Sequence, residues 1–250
     1  MQRYFIGEEH WGHRKVTIYG EDLHHISRVM RMTSGDQLIG IHPEEGPALC
    51  KILNVTEDGA ECAVLEWLEE DKELPIQVTI VAGLGKGDKL EHIVQKGTEL
   101  GAFEFIPFQA DRSVAKWDKK KVPKKIQRLQ KIAKEASEQS ERSHVPEVCT
   151  VHTLQQVSQL KDRYHWWLYA YENEARKKEH QSLATRLKLV RPGEKVIVIF
   201  GPEGGFSEKE VSHLEEKNFL SVRLGPRILR METAPLYFLS SLSYVFEEER

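Results

Sequence analysis

The hydrophobic positions in roughly the first quarter of the chain fall into short segments that are separated by glycine and proline turns. These segments read as strands and cover Val16–Tyr19, Gln37–His42, Ala48–Val55 and Ala60–Glu66. One helical period interrupts them between residues 21 and 32, with Leu23, Ile26, Val29 and Met30 on a single face. Short strands with frequent turns predict a small, mostly β unit that closes into a barrel.

A different pattern begins after an acidic stretch that ends at Pro75. Apolar segments of strand length then alternate with helical periods, which is typical of an α/β domain. The strand segments are Ile76–Ala82, Phe103–Phe108, Tyr164–Ala170, Val196–Phe200 and Leu220–Leu224. Val196–Phe200 is apolar at every position, which indicates a strand buried on both faces of a parallel sheet. We predict two domains, residues 1–72 and residues 73–250, the second with a mainly parallel sheet.

Helical periods follow several of these strands. Pro123 stands where the first turn of a helix tolerates proline, and the last helix covers Leu236–Phe246. The apolar stripes of the two earlier helices consist of Leu90, Ile93, Val94 and Leu100, and of Ile126, Leu129, Ala133 and Ala136.

Composition and cysteine usage narrow the class of protein. A chain of 250 residues with 40% hydrophobic residues and a net charge of −3 is not collagen, a coiled coil or a disordered protein. Cys50, Cys62 and Cys149 lack the spacing of a disulfide framework or a metal site, so we expect no metal and a reducing, cytoplasmic location. No apolar run of about 18 residues occurs, so we expect no export and no membrane span.

Charge is unevenly distributed along the chain. Between Arg112 and Lys134 there are ten Lys or Arg residues and one acid, Asp118. Such a stretch attracts the phosphate backbone of a nucleic acid, although a solvated helix face remains an equal alternative at this point.

The segment Gly201–Glu210 directly follows the apolar strand 196–200 and contains three glycines and a proline within five residues. Ligands of open α/β sheets bind beyond the carboxyl ends of strands, where glycine lets the main chain approach them closely. Ser207 and Glu210 have the spacing of a capping box, so a helix should begin here. A purely structural turn is the alternative.

A second loop of this kind runs over residues 225–235, after the strand Leu220–Leu224. Two such loops suggest one shared pocket. Arg227, Arg230 and Glu232 lie in the second loop, either as an ordinary ion-pair cluster or as functional groups at a cleft. Glu172 and Asn173, at the end of another strand, are further candidates for this pocket.

The glycine-rich turn Gly83–Lys89 matches neither the dinucleotide-binding nor the P-loop spacing, so a tight strand-to-helix turn is expected there. Lys86 and Lys89 within it are candidates for contacts with RNA phosphates. His24 and His25 lie on the predicted helix of the first domain, which favours a surface or RNA-facing role over metal binding.

Motifs throughout the chain carry a resemblance to a known family. The chain resembles the RsmE family of small-subunit ribosomal RNA uridine N3-methyltransferases, in the SPOUT class of S-adenosylmethionine enzymes. The matching motifs are Arg3–Phe5, His25–Met32 with Gly35-Asp36, Lys86–Glu91, Gln95–Gly101, Glu135–Arg142, Gly201–Ser207 and Leu224–Ala234.

This resemblance implies a PUA-like RNA-binding β-barrel followed by a trefoil-knotted SPOUT domain that holds the cofactor in its C-terminal loops. It also implies a homodimer, built in part by the apolar C-terminal helix, that acts on a 1498-type uridine of 16S rRNA within the small ribosomal subunit. One departure is Met231, where the resemblance leads us to expect threonine.

The resemblance also implies roles for individual residues. Arg230 would orient the uracil or counter its charge, with Glu232 and Glu203 as helpers. S-adenosyl-L-methionine, and its product S-adenosyl-L-homocysteine, would be bound mainly by main-chain groups of Ile199, Phe200, Gly201, Gly204, Gly205, Leu224, Gly225, Ile228 and Leu229. The RNA would contact Arg28, Arg31, Arg112, Lys119, Lys120, Lys121, Lys124 and Lys125.

Three other functions remain possible at this point. One is a non-catalytic RNA-binding ribosome-assembly factor, which the intact glycine loops disfavour. Another is a ribose 2′-O-methyltransferase of the same fold, and the third is a nucleotide-phosphate enzyme that uses the turn Gly83–Gly87.

Overall fold

The computed structural model describes residues 1–70, 72–172 and 182–249. The chain divides into two compact units, one formed by Met1–Glu73 with Ser137–His144 and the other by Leu74–Ala136 with Val145–Arg250. The domain ranges 1–72 and 73–250 stay a prediction, and the segment from Ser137 to His144 groups with the first unit although it is remote in sequence.

The first unit contains a curled six-stranded sheet in the order β1-β4-β5-β6-β3-β2. Its strands are β1 (Arg3–Phe5), β2 (Trp11–Gly12), β3 (Lys15–Ile18), β4 (Gln37–His42), β5 (Gly46–Val55) and β6 (Ala60–Trp67). All four predicted strands are confirmed. The two that the hydrophobic pattern missed, β1 and β2, are only three and two residues long. Tyr4, Ile26, Leu38 and Ile52 pack inside this sheet.

The helix predicted between residues 21 and 32 is shorter than expected, and its apolar face is partly wrong. It consists of α1 (Gly20–His24) and a π-helical turn, His25–Val29. Leu23 and Ile26 are buried, but Val29 and Met30 are 58% and 40% exposed. In the π turn, the Met30 N–H donates to the His25 carbonyl at 2.8 Å. This wider turn shifts the residues that follow away from the face that a period of 3.6 residues predicts.

The second unit contains a seven-stranded sheet in which every pair of strands is parallel. Its strands are β7 (Gln77–Gly83), β8 (Glu104–Gln109), β9 (Glu147–Val148), β10 (His152–Thr153), β11 (Trp166–Ala170), β12 (Lys195–Phe200) and β13 (Leu220–Val222). The main order is β10-β8-β7-β12-β11-β13, with β9 beside β8. The predicted mainly parallel α/β sheet is confirmed.

Strand β12 lies between β7 and β11, and it is buried on both faces. Val196 and Val198 face a core that also holds Leu239, whereas Ile197 and Ile199 face a second core. The described helices of this unit are α2 (Lys89–Glu99), α3 (Val122–Gln139), α4 (Leu154–Gln159), α5 (Leu183–Leu187), α6 (Glu208–Glu216) and α7 (Thr233–Ser243), and the last three residues of α3 group with the first unit. The described residues of this unit also include a 3-10 turn at Lys161–Arg163 and a π turn at Tyr244–Glu248, and those of the first unit include a 3-10 turn at Glu8–His10.

The predicted helical stripes are largely confirmed. Leu129, Ala133 and Ala136 of α3 are buried, and Pro123 is the second residue of that helix. Across the described ranges, no helix combines the length and the apolar character needed to cross a membrane.

Truncating a buried leucine of α7 should destabilise the second unit. Leu242 is completely buried, so Leu242→Ala should lower the free energy of unfolding by about 2–5 kcal/mol, through lost apolar burial and the cavity left behind. Leu189→Ala is the matched control, because that side chain is 56% exposed. Denaturant unfolding of both variants checks this, and equal losses would mean that α7 does not anchor the core.

Candidate functional site

Three neighbouring parallel strands end at one edge of the sheet, and the segments that follow them enclose a cavity of about 380 Å³. Residues 201–206 follow β12, residues 171 and 172 follow β11, and residues 224–231 follow β13. A cavity of this size at the carboxyl ends of parallel strands has the volume and position of a small-molecule site. The shared pocket expected from the two glycine loops is therefore present.

Two lining glycines adopt backbone conformations that other residues rarely tolerate. Gly205 has φ +67° and Gly225 has φ +79°. Both lie in the left-handed region, where a Cβ atom introduces strain, so the path of each loop depends on glycine.

The first loop ends in a capping box that is tied to another segment. Ser207 Oγ accepts the Glu210 N–H at 3.2 Å, and Glu210 Oε2 accepts the Ser207 N–H at 2.7 Å. The other oxygen of Glu210 accepts the N–H of Asp111 at 2.9 Å, and the Ser207 hydroxyl donates to the Asp111 carboxylate at 2.8 Å. The predicted capping box is confirmed, and it fixes where α6 begins and the loop ends.

Seven of the nine residues expected to hold the cofactor line the cavity, namely Phe200, Gly201, Gly205, Leu224, Gly225, Ile228 and Leu229. The other two lie elsewhere. Ile199 is fully buried in the core on one side of the sheet. Gly204 packs against the backbone of Arg112, whose guanidinium donates to the Gly204 carbonyl at 3.4 Å.

Two of the three charged residues expected to act in the chemistry, Glu203 and Glu232, contact a fourth residue, Lys89. Arg230 and Glu203 line the cavity together with Lys89. The Lys89 ammonium donates to Glu203 Oε1 at 2.9 Å and lies 3.7 Å from Glu232 Oε2. Glu232 itself is not part of the lining, although its carboxylate lies next to the lining residue Lys89.

The hydrogen bond between Lys89 and Glu203 shifts the pKa values of both residues. The hydrogen bond to Glu203 raises the pKa of Lys89, outweighing partial burial. Burial raises the pKa of Glu203, but hydrogen bonds from Lys89 and from backbone N–H groups, including that of Lys86, more than offset it and hold the value below its usual range. Lys89 therefore stays an ammonium and Glu203 a carboxylate at neutral pH.

The sequence alone predicts only a contact with RNA phosphates for Lys89, because no local pattern links this residue to Glu203, which is more than a hundred residues away. Met231, the departure from the family pattern, is buried and lines the cavity. Its sulfur lies against Gly85, where an added Cβ would be only 2.6 Å away. Glu172 also lines the cavity, as expected, whereas Asn173 lies outside the described residues.

The basic residues expected to contact RNA are exposed in both units. Arg28 and Arg31 are exposed on the first unit, and Lys119, Lys120, Lys121, Lys124 and Lys125 are exposed before and within the first turn of α3. Lys125 lies 4.6 Å from the ring centre of Trp117, which orders part of this surface.

Within residues 1–70, 72–172 and 182–249, no group of three or more His, Cys, Asp or Glu side chains could hold a metal ion.

Comparisons with known proteins agree with this architecture. A family profile described as “RNA methyltransferase domain” matches residues 72–243, and one described as “RNA methyltransferase PUA domain” matches residues 18–65. The ribosomal RNA small subunit methyltransferase E of Bacillus subtilis (strain 168) is 48% identical over 250 residues, covering 99% of this chain and 98% of that protein.

Two solved structures are similar over almost the whole chain. A putative methyltransferase from Legionella pneumophila, in complex with the bound cofactor SAM, is 28% identical with a TM-score of 0.84, and the match covers 97% of each chain. The ribosomal RNA small subunit methyltransferase E of Neisseria gonorrhoeae, bound to S-adenosyl methionine, is 24% identical with a TM-score of 0.85 over 98% of each chain, which shows the shared fold. The PUA-like and SPOUT-type fold is confirmed, while the trefoil knot stays a prediction.

The Glu203–Lys89 hydrogen bond should make stability depend on pH in the acid range. A carboxyl whose pKa is lowered by folding stabilises the protein above its ordinary pKa of 4.5, and this contribution is lost as the pH falls through the lower, folded value. Urea unfolding below pH 4.5 should therefore show a shallower loss of stability for Glu203→Gln than for the unchanged protein. Lys89→Gln, which removes the donor, should flatten the dependence as well. The coupling is refuted if both variants keep the original slope.

Proposed function

The chain belongs to the ribosomal RNA small subunit methyltransferase E family, and from this membership we propose that it transfers a methyl group from S-adenosylmethionine to N3 of one uridine in 16S rRNA. The observation that carries this proposal is the cavity at the carboxyl ends of β11, β12 and β13, bordered by two glycine loops. A cytoplasmic location and a substrate within the small ribosomal subunit accompany the proposal.

The cavity fits an adenosyl group. Phe200, Leu224, Ile228 and Leu229 supply an apolar lining for an adenine ring, and the positive-φ loops expose main-chain groups to its polar edge. S-adenosylmethionine, when bound, supplies an electrophilic methyl group on its sulfonium and leaves as S-adenosylhomocysteine.

The residues of this chain would act on the uracil. N3 must give its proton to a base, a protein side chain or water, before its lone pair can form the new N–C bond, so negative charge develops over the imide. Arg230, at the cavity wall, orients the ring and counters this charge. Glu203 and Glu232 help through Lys89, because together they hold the ammonium at the cavity wall. Much of the rate comes from positioning, which places the sulfonium methyl group in line with uracil N3.

RNA binding would use the exposed basic residues of both units, namely Arg28, Arg31, Arg112, Lys119, Lys120, Lys121, Lys124 and Lys125. Contacts of this kind are made to phosphates and are sensitive to salt. The target uridine must be unstacked to reach the cavity.

A homodimer is also part of the proposal. Ile228, Tyr237 and Tyr244 lie on or near α7 and are 55%, 38% and 61% exposed. Large apolar side chains that are exposed to solvent favour association with a second copy.

Analysis of the methylated nucleoside tests the reaction directly. Small ribosomal subunits that lack the modification, incubated with the protein and S-adenosylmethionine, should yield N3-methyluridine after digestion. A 2′-O-methylated nucleoside would replace the proposed reaction with ribose methylation, and no methylated product would favour a non-catalytic RNA-binding function.

Removing Arg230 should affect chemistry more than cofactor affinity. Arg230→Ala should slow methyl transfer by about 10²-fold or more, because charge developing on the uracil loses its counter-charge. Its affinity for S-adenosylhomocysteine, measured by calorimetry, should change far less. Arg191→Ala, at an exposed position outside the cavity lining, is the control. An unchanged rate for Arg230→Ala would remove this residue from the mechanism.

Neutralising the basic surface at the start of α3 should weaken RNA binding and its salt dependence together. Replacement of Lys119, Lys120, Lys121, Lys124 and Lys125 with Gln should reduce the slope of log affinity against log salt concentration, because fewer counterions are released. Lys195, Lys209 and Lys217, also exposed, provide a control set on the same unit. Equal effects from the two sets would reject this surface assignment.

A further inference from the structure

Three aromatic rings of the first unit form a cluster that the methyltransferase proposal does not use. The aromatic cluster consists of Trp11, His42 and Trp67. The two indole rings are stacked, with centroids 5.4 Å apart and planes at 26°. The His42 ring meets both edge-on, with centroids 5.2 Å from Trp11 and 6.1 Å from Trp67.

Trp11 is the fixed base of this cluster. Its Nε1–H donates to the Ile6 carbonyl at 3.1 Å, and its ring lies so close to Gly40 that an added Cβ there would be 3.0 Å from it. Trp67, the last residue of β6, is stacked on this base but remains 46% exposed. The cluster therefore presents a supported indole ring to solvent.

Acidic residues lie beside the cluster. The His42 Nδ1 atom accepts the backbone N–H groups of Glu44 and Glu45 at 3.1 and 3.0 Å, which attaches the β4–β5 turn to the rings. Both glutamates are exposed, as is Glu66 next to Trp67. Neither residues 38–50 nor residues 52–70 contain a lysine or an arginine. The β4–β5 turn therefore places two exposed glutamates beside the rings, while the β2–β3 hairpin that begins at Trp11 carries Arg14 and Lys15, the latter paired with Glu61.

We propose that the aromatic cluster binds an arginine side chain from a basic protein segment. A guanidinium group stacks on an indole face through cation–π attraction and simultaneously donates hydrogen bonds to carboxylates in its plane. An exposed indole and two neighbouring glutamates supply these two features. The same carboxylates repel phosphates, so an RNA base is disfavoured as the occupant although bases also stack on aromatic rings. This surface lies outside the methyltransferase cavity, and its role does not depend on the proposed reaction.

Binding of a fluorescein-labelled oligo-arginine peptide to the full chain, followed by fluorescence anisotropy, tests the proposal. Trp67→Leu keeps apolar bulk but removes the indole, and it should weaken binding by about three- to tenfold. The double variant Glu44→Gln/Glu45→Gln should weaken binding to a similar extent. An oligo-lysine peptide should bind the unchanged protein less tightly, because an ammonium lacks the planar fork of guanidinium.

Two controls match these variants. Leu65→Ala alters a residue that is 49% exposed on the same strand, β6, and should leave peptide affinity unchanged. Glu57→Gln/Asp58→Asn removes the same amount of charge at the β5–β6 turn, at the other end of β5, and should have little effect. Circular dichroism of each variant checks that the fold is retained.

Several outcomes would overturn the proposal. Equal weakening by the two charge variants would show attraction to net charge alone, and full affinity in Trp67→Leu would exclude the indole. Tighter binding of a uridine homopolymer that depends on Trp67 would make the cluster a nucleobase platform. Self-association in analytical ultracentrifugation that disappears in Trp67→Leu would make it a contact between copies of this chain.

Discussion

The parallel pairing of β12 with β7 on one side and β11 on the other is the constraint on which the rest of the second unit depends. Parallel register sends the carboxyl ends of β11, β12 and β13 to the same edge of the sheet. Because β12 is apolar throughout and buried on both faces, it cannot move to the sheet edge without exposing its side chains to water. The cavity is therefore a consequence of sheet order, and the two glycine loops determine its shape.

Two ion pairs connect the segments at the rim of this cavity. Lys89, at the start of α2, contacts a glutamate from each of the two glycine loops, Glu203 and Glu232. One ammonium between two carboxylates links three segments that are distant in sequence. Since Lys89 and Arg230 also line the cavity, the groups that order the loops share the space in which the proposed chemistry takes place. A charge change here should therefore affect both loop order and catalysis.

Local patterns predicted much of the fold, and long-range contacts account for most of what they missed. The buried strand β12 and the capping box of Ser207 and Glu210 are readable because they depend on a few adjacent residues. The exposure of Val29 depends on a π turn that periodicity does not reveal. The grouping of Ser137–His144 with the first unit also involves a long-range contact. Arg142 donates to the carboxylate of Glu73, which accepts the N–H groups of residues 143 and 144 as well. The position of Lys89 between two glutamates has the same long-range origin.

Calorimetric titration of S-adenosylhomocysteine tests most directly whether the two glycine loops form the cofactor site. We expect saturable binding without RNA, a marked loss of affinity in Gly225→Val, and retained affinity in Gly193→Val. Gly193 also has a positive φ, +84°, but does not line the cavity, so it controls for backbone strain. No heat at two temperatures, or equal loss of affinity in both variants, would show that the two glycine loops do not form the cofactor site.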